Sequence, residues 1–354
     1  MGLYRPPEAW CPYEVNGREQ TTSREMGEGR LMSADVVVTW PVYDISGPTT
    51  GALLTEAGLG IRLHPRTGNR SPAELAEILG DAVGVIASTD PFDVSVFAAC
   101  PNLKVIARTG VGVDAIDVQA ATHAGVVVAT TPGANEEAVA DHALAMMLAL
   151  QRRLAENDAA IREGRWDRAG SLTPSDMYGA TIGLVGSGVI GRAVIRRLRG
   201  FGSTVCVYDP YLDDAPEGTE LVDLPTLLAR SDVISVHAPL TESTRALLGA
   251  EAFAAMKPGA YIVNVSRGGI IDEEALAQAI RTGHLAGAGI DTFAREPIGD
   301  SPFRELPTVI MSPHIAGLSH RSIEAMTEQA TQAVLDVVAG RLPAHPKNPE
   351  ALRP

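Results

Sequence analysis

Apolar and polar positions change period several times along the chain, and each change marks an element. Short β-branched runs at 34–39, 83–87, 103–107 and 126–129 read as strands. Between the first two, Ser71-Pro72-Ala73-Glu74 sets an N-cap serine, a proline at the first helical position and a glutamate at the third. That is a capping box, so a helix starts there. Residues 136–163 follow as one long helical stretch, and a second series of strands begins at Thr181, near 182–185, 204–208, 233–236, 261–265 and 288–290. Helices fall between them. A closing helix keeps Ile323, Met326, Ala330, Ala333, Val334, Val337 and Val338 at helical spacing. Strands alternating with helices predict βαβ units, hence an α/β fold of two lobes with mostly parallel sheets. Residues 1–32 have no period, and their prolines, glycines and mixed charges read as a flexible extension.

Length supports the two lobes: 354 residues is more than one hydrophobic core usually serves. The 29 Lys+Arg against 43 Asp+Glu give a net charge of −14, which argues against a nucleic-acid partner. An anionic small molecule would need a local cationic pocket. Cys11, Cys100 and Cys206 are too scattered for a disulfide framework or a zinc motif, so no metal is expected and a reducing compartment is. The most apolar stretch, 138–150, is interrupted by Asp141 and His142 and is too short for a membrane span. With no apolar signal core at the N-terminus, the expected address is cytoplasmic, with no membrane partner.

Gly186-Ser187-Gly188-Val189-Ile190-Gly191 fits the dinucleotide pattern G-x-G-x-x-G in the context it requires, an apolar strand before and a helix after. The first glycine permits the turn, the second lets pyrophosphate approach, and the third lets helix and strand pack. The next strand ends in Asp209, where a carboxylate can accept both ribose hydroxyls of NAD and repel the 2′-phosphate of NADP. Pro210-Tyr211-Leu212 offers no compensating arginine, so NAD is the expected cofactor.

Four further candidates stand at or after strand ends, where open α/β sheets bind ligands: Arg267, Asp291, Glu296 and His314. Reduction of a 2-oxo acid needs a cation for its carboxylate and carbonyl and an acid to protonate the new alkoxide. Residues 264–272 (Asn-Val-Ser-Arg-Gly-Gly-Ile-Ile-Asp), 291–297 (Asp-Thr-Phe-Ala-Arg-Glu-Pro) and 313–317 (Pro-His-Ile-Ala-Gly) closely resemble the signatures of the D-isomer-specific 2-hydroxyacid dehydrogenases. The resemblance runs from about residue 34 to about 349. It implies that Arg267 binds the substrate carboxylate and carbonyl, that His314 is the general acid/base, and that Glu296 hydrogen-bonds it and stabilises the imidazolium. It also implies that Asp291 meets the nicotinamide carboxamide, and that Ser266 with His237, Ala238 and Pro239 lies beside the dinucleotide.

Arg108-Thr109-Gly110-Val111-Gly112 matches the family as well, in the version closest to its phosphoglycerate dehydrogenase branch. Amides of Gly110, Val111 and Gly112 would then donate to the substrate carboxylate. Arg108 would meet a second anionic group; alternatively it pairs with a nearby carboxylate. The chain ends soon after its last helix, so the resemblance implies a form without the C-terminal regulatory domain. Family topology further implies an NAD-binding Rossmann domain at 135–313, inserted into a substrate domain built from 33–134 and 314–354. The helix after Asn135 resembles the one relatives use to dimerise, so a homodimer is expected, although its apolar residues could equally be core. The implied activity is interconversion of a D-2-hydroxy acid and its 2-oxo acid. A phosphoglycerate-like, doubly anionic substrate is favoured; the alternatives are a glyoxylate/hydroxypyruvate reductase and a non-catalytic, NAD(H)-sensing corepressor-like protein.

Overall fold

The computed structural model describes residues 34–166, 168, 170 and 172–352; the extension expected at 1–32 lies outside them. The described chain divides into two compact units, one of residues 34–132 with 323–352, the other Gly133–Ser322.

The first unit runs β1 (Ala34–Val38), α1 (Gly51–Glu56), β2 (Leu59–Leu63), α2 (Pro72–Leu79), β3 (Gly84–Ala87), α3 (Val94–Ala99), β4 (Val105–Arg108), α4 (Val118–His123) and β5 (Val127–Ala129). Its five strands are all parallel, in the order β2-β1-β3-β4-β5. Both faces are covered by helices, which is why the inner strands read as unbroken apolar runs rather than alternating ones. Val36 and Val38 pack with Leu54 of α1 and with Ala330 and Val334 of the closing helix. Val37, on the opposite face, packs with Leu75, Leu79, Val96 and Ala121. Each fully buried valine or leucine among them contributes roughly 1.5–3 kcal/mol. The capping box is formed: Glu74 N–H donates to Ser71 Oγ, and Ser71 N–H donates to Glu74 Oε2 at 2.7 Å.

The second unit runs α5 (Glu136–Gln151), α6 (Leu154–Arg162), β6 (Thr181–Val185), α7 (Val189–Leu198), β7 (Thr204–Tyr208), β8 (Glu220–Leu221), α8 (Leu224–Arg230), β9 (Val233–Val236), α9 (Ala250–Ala255), β10 (Tyr261–Asn264), α10 (Glu273–Arg281), β11 (Gly287–Ile290) and β12 (Val309–Met311). Its seven parallel strands take the order β12-β11-β10-β9-β6-β7-β8. Helices α5 and α7 cover one face through Ala143, Met147, Ala193 and Val194. Helices α8, α9 and α10 cover the other through Leu227, Phe253 and Leu276. The last helix, α11 (His320–Val338), returns the chain to the first unit from Ile323 onward.

Two differences from the sequence reading have local causes. The stretch expected as one helix is two, because Arg153 takes the left-handed conformation (φ 48°) and caps the start of α6. Its guanidinium bonds Glu156, which holds the break in place. The unit boundaries fall after Pro132 and after Ser322, not after 134 and before 314. Residues 314–322 stay with the second unit because Asp291 accepts the amides of Ile315 and Ala316, and Ser322 Oγ donates to Gly317 O. No helix among the described residues is long and apolar enough to cross a membrane.

Candidate active site

Strand order points to a candidate dinucleotide crevice in the second unit. From β6 the chain crosses to β7 on one side, whereas β9 lies on the other side of β6. The carboxyl ends of β6 and β9 therefore flank a topological switch point, the usual ligand crevice of an open α/β sheet. The glycine loop leaves β6 there and His237 leaves β9. Gly186 has φ +94°, and a Cβ on it would come within 2.8 Å of Ala238 N and 2.9 Å of His237 C. Only glycine fits, so the two loops touch through backbone.

The loop then opens α7 at Gly188 with no side-chain cap on the helix N-terminus, and a Cβ at Gly188 would meet nothing within 4 Å. Exposed N-terminal amides and open space before them suit a pyrophosphate. Ser187 Oγ is buried without a hydrogen-bond partner, a further polar group for a bound ligand to satisfy. Val189 and Ile190 are the first residues of α7, and Gly191 packs against Gly186 O. Asp209, just past β7, accepts Ser187 N–H at 2.9 Å through Oδ2 and Tyr211 N–H at 3.1 Å through Oδ1. Its carboxylate thus anchors the glycine loop and keeps lone pairs for two hydroxyls. The residues present fit a dinucleotide.

His237 is only partly covered as a residue, yet both its ring nitrogens are shut from solvent and unpartnered. Burial pushes its pKa down from 6.5 to about 4, so the ring is neutral near pH 7. Ala238 and Pro239 follow it, the first buried and the second exposed.

The catalytic candidates of this unit come together in part. His314 Nδ1 lies 2.7 Å from Glu296 Oε2, and Nε2 has no hydrogen-bond partner among the described residues. Phe293 N–H donates to the other Glu296 oxygen at 2.9 Å. Burial, the largest single influence on the Glu296 carboxyl, pushes its pKa up. The His314 hydrogen bond and charge, the Phe293 amide and the Arg267 charge together outweigh it, and the net shift is downward. Glu296 is therefore a carboxylate near neutral pH. Arg267 donates to Ser266 O at 2.7 Å. Its turn is braced by Asn264, which accepts from Ser266 N–H and Oγ and donates to Arg267 O. At Gly268 a Cβ would sit 1.9 Å from Phe293 C, so the arginine loop lies directly on the loop that carries Glu296.

Asp291 is fully buried. Its Oδ1 accepts Ser312 Oγ–H at 2.5 Å and Ile315 N–H at 2.9 Å, and its Oδ2 accepts Ala316 N–H at 2.9 Å. His314 N–H donates to Asp291 O at 2.9 Å. What the structure shows of Asp291 is thus a clamp on the loop that carries His314. Sequence reasoning missed Asn264, Ser312, His142 and Glu273. Glu273 accepts Ala294 N–H at 2.6 Å; burial, opposed by that amide and reinforced by the charges of Glu296 and Asp272, raises its pKa. The available signals were His142, a polar interruption of the most apolar stretch, and Asn264, the first residue of the 264–272 signature.

Arg108, Gly110, Val111 and Gly112 belong to the first unit, at the carboxyl end of β4. Arg108 folds back, and its Nη1 donates to Thr109 O. Gly110 N–H donates to Thr131 Oγ1 at 2.7 Å, so that amide is already engaged within the unit.

Residues 144–316 match the family described as D-isomer specific 2-hydroxyacid dehydrogenase, NAD binding domain. The chain is 44% identical over 259 residues to D-3-phosphoglycerate dehydrogenase of Mycobacterium leprae, covering 72% of this chain and 49% of that one. It thus spans about half the length of such relatives. It is 41% identical over 272 residues to glyoxylate reductase of Korarchaeum cryptofilum, covering 75% of this chain and 82% of that one. Among solved structures it resembles the TT0316 protein of Thermus thermophilus, with TM-score 0.81 and 38% identity over 88% of this chain and 99% of that one. With its glycine loop, Asp209 and the His314–Glu296 pair in place, the chain belongs to the D-isomer-specific 2-hydroxyacid dehydrogenase family.

Proposed function

We propose that this chain is an NAD-dependent oxidoreductase interconverting a D-2-hydroxy acid and its 2-oxo acid. The observation that carries the proposal is the His314–Glu296 pair, which leaves Nε2 as the working nitrogen. NAD, when bound, supplies the two-electron hydride exchange at the substrate carbon. In reduction His314 gives its Nε2 proton to the carbonyl oxygen as that oxygen becomes a hydroxyl; in oxidation it takes the proton back. Glu296 steadies the imidazolium through Nδ1 and fixes which nitrogen faces outward. Arg267 is suited to hold the substrate carboxylate and polarise the carbonyl, since its fork matches a carboxylate and its charge opposes the developing alkoxide.

The favoured substrate carries a second anionic group, as 3-phosphoglycerate does. Arg108 at the end of β4 and the phosphoglycerate dehydrogenase relatives support this. A glyoxylate or hydroxypyruvate reductase is the second reading, favoured by a relative of that name of which the chain covers 82%. The test is an NAD(H)-linked screen of 2-hydroxy and 2-oxo acids differing only in side chain, run on wild type, His314→Ala and Arg108→Ala. His314→Ala should lower kcat roughly 10²–10⁴-fold on every substrate. Arg108→Ala should raise KM chiefly for doubly anionic acids. Equal effects on lactate-like and phosphorylated acids would sink the second-anion reading, and NADH binding without turnover would sink the enzyme.

We also place the protein in the cytoplasm as a homodimer. Cys100 and Cys206 are buried, unpaired thiols, as a reducing compartment allows. Leu154 and Ile161 of α6, with Trp166 beyond it, expose large apolar surface that a second copy would cover.

A further inference from the structure

Behind His314 lies a partly buried chain of polar contacts, ending on the fully buried Asp291, with no place in the reaction just described. His142, on α5, has Nε2 2.9 Å from Ser312 Oγ. Ser312 Oγ lies 2.5 Å from Asp291 Oδ1. A carboxylate can only accept and the hydroxyl has one proton, so Ser312 gives that proton to Asp291. The Ser312 oxygen is then an acceptor, and His142 must donate to it through Nε2. The direction of the whole chain follows: His142 Nε2–H to Ser312 Oγ–H to Asp291.

Asp291 in turn gathers the loop ahead of it. Its side chain takes the amides of Ile315 and Ala316, and its carbonyl takes the amide of His314. The His314 amide is also 3.0 Å from Ser312 O, so Ser312 grips the loop through backbone as well as side chain. Such a grip has something to hold. His314 has φ +54°, a left-handed conformation that a non-glycine residue keeps only when its surroundings impose it. The same turn decides where the imidazole stands relative to Glu296.

We propose that His142, Ser312 and Asp291 form a positioning relay for the acid/base, in which His142 and Ser312 aim the Asp291 carboxylate and Asp291 imposes the left-handed turn that presents His314. The inference rests on His314 being the proton donor. His142 and Ser312 touch no reacting atom; they act through Asp291 on the placement of the ring. Misplacing a catalytic group by about 1 Å can cost up to roughly a hundredfold in rate.

The test compares Ser312→Ala and His142→Ala, which cut the relay, with Ser312→Thr and His142→Gln, which keep a hydroxyl and a donor near the original atoms. Three quantities are read: kcat for 2-oxo acid reduction, the Kd of NADH by fluorescence, and amide hydrogen exchange over residues 314–316. The cutting variants should lose roughly ten- to hundredfold in kcat, keep the NADH Kd and exchange faster at 314–316. The conservative variants should recover most of the loss. An unchanged kcat, a loss that tracks NADH affinity, or equal loss in Ser312→Ala and Ser312→Thr overturns the relay. His314→Ala, run alongside, separates the two ideas. If it is fully active, the reading of His314 falls and the relay with it. If it is inactive while Ser312→Ala is normal, the relay alone falls.

Discussion

Asp209 and Glu296 show one kind of side chain set to two tasks by its neighbours. Asp209 holds a backbone amide with each oxygen and faces the switch point, whereas Glu296 is half buried between an imidazole and an amide. Replacing Asp209 removes a charge-assisted acceptor and the repulsion of a 2′-phosphate together. Asp209→Ala should therefore narrow the preference for NADH over NADPH by roughly ten- to a hundredfold, measured as the ratio of their Kd values. An unchanged ratio would remove Asp209 from the ribose site. That carboxylate was legible in the sequence because it ends a strand at a fixed distance from the glycine loop. The His142–Ser312 contact was not, since it joins residues 170 positions apart, and the polar interruption that His142 makes in an apolar stretch names no partner.

Elements differ in legibility for a related reason. The inner strands of both sheets are largely buried on both faces and announce themselves as short apolar runs, most of them β-branched. Strands β2, β8 and β12 escaped notice, and all three are sheet edges, partly exposed, with too few buried positions to make such a run. The capping box of α2 is written in four consecutive residues and is legible in full. The break between α5 and α6 depends on one left-handed arginine, which no local pattern marks. Helix α6 also carries the dimer proposal at its own scale. Leu154 and Ile161 lie seven residues apart, hence on one face, and both are more than half exposed. Ile161→Glu should convert a dimer to monomer in sedimentation velocity with far-UV circular dichroism unchanged. A wild type that sediments as a monomer would end that reading.

At the scale of the molecule, acid should loosen the fold in two stages. His237 has a folded pKa of about 4 against 6.5, so the unfolded chain takes up a proton that the folded one refuses. Its contribution is present above pH 6.5 and lost as pH falls towards 4, at most about 3 kcal/mol. Glu296, lowered from 4.5, adds a loss below that value, while the raised pKa of Glu273 works the other way. His237→Asn should flatten the fall of the thermal midpoint between pH 6.5 and 5; an identical slope would show that this ring does not govern it. The charge of −14 describes the exterior on which these events are superimposed. The return of the chain to the first unit has a further consequence, for the order of assembly. Ala330 and Val334 complete the face of the first sheet that Val36 and Val38 begin, and Asn348 accepts the amide of Val128. On a ribosome, Gly133–Ser322 emerges whole and can close its own core, whereas the unit that begins first must wait, one apolar face bare, until its last thirty residues arrive.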